Sequence, residues 1–178
     1  MQAISSIELS FTAAVVFVGA CTDVYSRRVP NWLTLPALAI SLVLQGMHGF
    51  IPCMEALLAV VIAGGIFLIF FLAGGMGGGD VKLIAAAAAG VGLSRLPALL
   101  VFTSLIGGAM AIFLAVRHRR VKSTLLNIAS LTAHHASAGV LQPHPELHVR
   151  NQQALRLPYA VAIAAGTVLA LCAQGVKG

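Results

Sequence analysis

No formally charged residue stands between Arg28 and Glu55, and none stands between Glu55 and Asp80. Where water is absent, a spanning segment has to satisfy its own backbone N–H and C=O groups. A helix of about 20 apolar residues does so while crossing the hydrocarbon core. Two adjacent uncharged stretches long enough for this leave few options other than membrane helices. Composition agrees: 59% of the residues are hydrophobic, 9% are charged and the mean hydropathy is +0.96. A soluble domain carries about 25% charged residues, so the charges here are too few to clothe a water-facing surface, and a soluble enzyme is excluded. At 18.4 kDa there is room for one helical bundle and little else.

The expected fold is all-α, a polytopic integral membrane protein with about six transmembrane helices forming a single membrane domain over 1–178. The spans are read at about 4–22, 32–50, 56–75, 81–94, 97–116 and 157–175, with a basic cytoplasmic loop at 117–156. The fourth is the weakest, because only Leu83 to Ser94 separates Lys82 from Arg95, about 18 Å of helix at 1.5 Å per residue. Orientation supports keeping it. With the N-terminus outside, Arg27, Arg28, Lys82, Arg117, Arg119, Arg120, Lys122, Arg150 and Arg156 all fall inside, and only Arg95 and Lys177 fall outside. Basic residues gather in cytoplasmic loops, and deleting the fourth span would place the cluster RHRRVK at 117–122 outside. The pI of about 9.9 therefore reports topology, and no basic stretch is interleaved with aromatics as a nucleic-acid surface requires.

Other features are quieter. Cys21, Cys53 and Cys172 lie far apart and make neither a CxxC metal site nor a disulfide framework. The first ten residues carry no Lys or Arg, so the first apolar run is expected to be retained rather than removed as a signal peptide. His144 and His148 stand four apart, but Pro143 and Pro145 disfavour a helix there, and no Cys or paired carboxylate joins them. The loop is read as a solvated basic segment near lipid headgroups, with a short interfacial helix at 125–131 and no metal.

The chain has five acids, and an ionisable group at the edge of a membrane span is a functional hypothesis by default. Glu8 and Glu55 fall near the outer ends of spans, and Glu146 falls in the loop. Asp23, in CTDVYSRRVPN, closes span one; Asp80, in GGMGGGDVK, opens span four. The orientation drawn from Lys and Arg alone brings both to the same face. Each has a plain alternative: an ion pair with Arg27 or Arg28 for Asp23, and a helix N-cap for Asp80. Neither accounts for four glycines within 75–79 at a membrane edge, where glycine weakens a helix but admits close backbone approach. Two carboxylates held close share a proton. One can then activate water while the other polarises a carbonyl and donates to a leaving amine. Such chemistry needs no metal or organic cofactor, and the sequence contains no GxSxG or HExxH.

At these residues the sequence resembles the type IV prepilin peptidases, membrane aspartic peptidases of the GxGD class. Gly77-x-Gly79-Asp80 followed by Val81-Lys82-Leu83 is similar to their second-aspartate motif. Asp23 followed by Arg27, Arg28, Val29, Pro30 and Asn31 is similar to the first, and LPYAVAIAAG at 157–166 resembles their last helix. The resemblance implies that Asp23 and Asp80 form the catalytic pair and that the leader peptide of prepilins and pilin-like proteins is cleaved at the cytoplasmic face of a bacterial inner membrane. It is nearest the short, peptidase-only type of tight-adherence (Flp) pili, which implies no methyltransferase activity and no cofactor. Implied partners are a prepilin helix, membrane lipid and the pilus assembly machinery.

The neighbouring residues have readings of their own. Pro30 and Asn31 suit a turn into span two. Arg27 and Arg28 meet lipid phosphates or an acidic group flanking the cleavage site, and Lys82 either tunes Asp80 or snorkels to the interface. The alanines at 85–89 read as a close helix-packing surface. The glycine run allows the aspartates to close only when a substrate helix docks. The rival functions are a non-catalytic scaffold of a pilus secretion machine and a small proton-coupled carrier. Carriers place such acids near the midplane between repeated halves, and no internal repeat is visible here.

Overall fold

The computed structural model describes residues 6–73, 75–117 and 158–175. Among them all regular structure is helical: α1 Ser6–Ser26, α2 Asn31–Met47, α3 Phe50–Leu72, α4 Gly78–Val91, a 3-10 turn at Leu93–Arg95, α5 Leu96–Arg117 and α6 Tyr159–Gly175. Three helical stretches, Ile7–Ser26, Phe50–Leu72 and Leu93–Leu114, are long and apolar enough to cross a membrane, and Asn31–Met47 and Tyr159–Ala173 are shorter apolar helices. The all-helical class is that of a polytopic membrane protein. Apart from Arg117, the basic loop at 117–156, with its histidines and the short helix expected at 125–131, lies outside the described residues.

Helix α4 is the hub of the bundle. It packs against α1, α2, α3, α5 and α6, and every residue from Leu83 to Val91 is buried. This explains why its span is hard to read in the sequence. A helix wrapped by protein has no lipid-facing side to fill with large apolar residues, and its 14 residues cover only about 21 Å. Its alanines let neighbours approach closely, as membrane helices do where no hydrophobic force separates lipid from protein. Helix α3 shows the matching pattern from outside. Ala56, Ala59 and Ala63 face inward, whereas Leu57, Leu58, Val61, Ile62 and Ile66 are exposed.

One crossing is especially tight. A Cβ added at Gly90 of α4 would land on the Thr12 hydroxyl of α1, so the two backbones approach where the side chain is missing.

Polar contacts collect at the two ends of the bundle. At one end His48 Nε2, at the close of α2, lies 3.0 Å from Glu8 Oε1 near the start of α1. Glu8 is therefore a buried, paired acid rather than the interfacial one its position in the sequence suggests. At the other end lie the close of α1 and the starts of α2, α4 and α6, joined by the contacts described next.

Candidate active site

Helix α1 continues past residue 22, so Asp23 sits inside its final turns. The helix stops because Arg27 turns into the left-handed region, φ 52°, with its N–H donating to the Asp23 carbonyl at 2.8 Å. Ser26 Oγ donates back to the Thr22 carbonyl at 2.7 Å and reaches forward to the Arg28 carbonyl at 3.3 Å, tying off both sides of the stop. Pro30 then holds an extended conformation as the N-cap of α2, and Asn31 opens the helix. The sequence RRVPN is thus a helix stop, a short extended connection and a helix start.

The glycine run performs the corresponding job for α4. Its N-cap is Gly77, not Asp80. Asp80 stands three positions on, and its Oδ2 accepts the Gly77 N–H at 3.2 Å, the backward half of a capping box. The capping alternative for Asp80 is therefore realised in modified form, and it uses only one of the two carboxylate oxygens. Gly79 explains its own motif position. A Cβ there would lie 3.0 Å from Val29 Cβ and 3.2 Å from the Val29 carbonyl oxygen, so the start of α4 rests directly on the α1–α2 connection. Lys82 neither reaches Asp80 nor extends free to the interface: its Nζ donates to Asn31 Oδ1 at 2.8 Å, on the exposed side of the same junction.

These local devices bring the two aspartates together. Asp23 and Asp80 are each 8% exposed and lie within Coulombic reach of one another. Among the described residues Asp23 forms no direct ion pair with Arg27 or Arg28. Arg27 stands within Coulombic reach, and the direct partner of Asp23 Oδ2 is the backbone N–H of Ala160 at 3.3 Å, in the first turn of α6. Arg28 is exposed. Three segments distant in sequence therefore converge: the end of α1, the start of α4 and the start of α6. Among the described residues no group of three His, Cys, Asp or Glu is placed to hold a metal.

Most of the sequence that builds this junction matches a known family. The model of the type IV leader peptidase family matches residues 10–112, a range that contains both aspartates and the whole RRVPN and GMGGGD elements. The chain belongs to the type IV leader peptidase family. A curated member, the prepilin leader peptidase/N-methyltransferase of Neisseria gonorrhoeae, is 33% identical over 118 residues, which cover 62% of this chain and 40% of that protein. The chain thus matches less than half of that relative's length. No solved structure matches. Helix α6 lies beyond the family match, and its two site neighbours, Tyr159 and the Ala160 amide, are the ones that residue-by-residue reading of the sequence misses. The LPYA element marked the segment. A backbone donor has no side-chain signature, so its partner was not legible.

Proposed function

We propose that this chain is a membrane-embedded aspartic endopeptidase that removes the leader peptide of prepilins, of the Flp type, and of pilin-like proteins. The observation that carries the reading is the convergence of Asp23 and Asp80, two buried carboxylates within Coulombic reach at one end of the bundle. Family membership supports the peptidase class, and the name of the Neisseria relative supports a prepilin substrate.

Two carboxylates that share one proton supply both halves of amide hydrolysis. The ionised member removes a proton from water as the water oxygen attacks the scissile carbonyl. The protonated member polarises that carbonyl, and a proton passes to the amine as the C–N bond breaks. Each aspartate is held for this by a backbone donor, Gly77 for Asp80 and Ala160 for Asp23. One oxygen of each is engaged, and the other is available to water or substrate. The clustering of Arg27, Arg28 and Lys82 at the same end of the bundle as the pair supports an active site at the cytoplasmic face of a bacterial inner membrane.

The reading is tested by incubating the purified protein in lipid with a prepilin and comparing Asp23→Asn and Asp80→Asn. The name of the relative couples cleavage to N-methylation. Here cleavage alone is proposed, so mass spectrometry of the processed pilin in the presence of S-adenosylmethionine is expected to find an unmethylated N-terminus.

A further inference from the structure

The first turn of α6 is built more tightly than a passive neighbour of the site requires. Pro158 precedes it, and the Val161 N–H closes it on the Pro158 carbonyl at 3.1 Å. Ala160 is fully buried, and its N–H is committed to Asp23. With Ala160 pinned, Tyr159 has little freedom. Its ring lies against α5 at Gly107, where an added Cβ would sit 3.7 Å from Cε1, and its phenol lies within Coulombic reach of Asp80. One turn thus binds Asp23 through the backbone and carries a phenol within Coulombic reach of Asp80. Tyr159 is half-buried, and a tyrosine placed with an apolar body and a polar tip ordinarily finds a hydrogen-bond partner; the carboxylate within its Coulombic reach is Asp80.

We propose that Tyr159 is a positioning residue for the reaction: its hydroxyl donates to the Asp80 carboxyl when substrate closes the site, fixing which oxygen faces the scissile bond. This rests on the reading of Asp23 and Asp80 as the reacting pair. The groups around Asp80 that bear on its protonation are Asp23 on α1, the Gly77 N–H on its own helix and Tyr159 on α6. Arg27 acts one step away through Asp23, and Lys82 is turned to Asn31.

The test uses the full chain in lipid vesicles with a purified prepilin, and it measures kcat, KM and the pH profile of Tyr159→Phe beside Asp80→Asn. Phe keeps the ring against Gly107 and removes only the hydroxyl. A lost hydrogen bond to a charged group predicts a fall in kcat of about 10- to 100-fold, with KM within about two-fold. Because a donor favours the ionised carboxylate, its loss moves the profile to higher pH. A wild-type kcat and pH profile would overturn the proposal, as would a change confined to KM. As a second variant, 3-fluorotyrosine at 159 keeps size and hydroxyl and alters only the strength of the donor. It is expected to shift rate and profile, and wild-type behaviour would again count against the role. If Asp80→Asn itself cleaves normally, the parent reading fails, whatever Tyr159 does.

Discussion

Adjacent glycines of the α4 start carry different loads. Gly79 touches the backbone of Val29, which has no freedom to move without shifting the α1–α2 connection, whereas Gly78 faces only the Phe71 ring at 3.4 Å. Gly79→Val is expected to push Asp80 away from Asp23. A displacement of about 1 Å at a reacting group lowers rate by about 100-fold, so leader cleavage should fall at least that far. Gly78→Ala needs only a small yield of an aromatic ring and should keep near-normal rates, and initial-rate assays on both variants check the contrast. The Lys82–Asn31 bond lies on the exposed side, where such contacts contribute about 1 kcal/mol or less. Lys82→Met and Asn31→Ala should each lower activity only a few-fold, and the double variant should be no worse than either one, because the two act as a unit. Both aspartates were legible in the sequence because acids are scarce in it. Gly77 was marked by its motif, but the Ala160 donor to Asp23 was not legible, because it acts through the backbone, which every residue possesses.

Among the elements, α4 is the one on which the fold turns. In the sequence it is the doubtful span, short and poor in large apolar residues; in the structure it is the buried centre, and those properties follow from its position. Hydropathy reads contact with lipid, so it reports α3 and α5 well and underrates a helix enclosed by its neighbours. The helix boundaries were legible only to within a few residues. Arg27 stops α1 by taking a left-handed conformation, which no preference of arginine announces. Packing around α4 is expected to be sensitive to size. A side chain at Gly90 collides with Thr12 across the α1–α4 crossing, and overpacking of this kind costs about 1–3 kcal/mol. Gly90→Val should lower the thermal unfolding midpoint in detergent, while Gly65→Ala, with no atom within 4 Å of its added Cβ, should leave it unchanged or raise it slightly, because alanine favours a helix over glycine.

At the level of the whole molecule, two clusters of ionisable groups stand at opposite ends of the described bundle. One end carries the Glu8–His48 pair, and the other carries Asp23, Asp80, Arg27, Arg28 and the Lys82–Asn31 bond. Under the orientation expected from Lys and Arg, the second end is the cytoplasmic one. With Cys21, Cys53 and Cys172 replaced by Ser, Arg28→Cys should react with a membrane-impermeant thiol reagent only from the cytoplasmic side, and Gly49→Cys only from the opposite side. Reaction of both from one side would reverse the topology. The central claim, that the two ends differ because one of them is a two-aspartate hydrolase, is tested most directly by prepilin cleavage. Asp23→Asn and Asp80→Asn, each still inserted and folded, are predicted to leave the leader uncleaved. Leader removal at an undiminished rate by either variant would contradict the account.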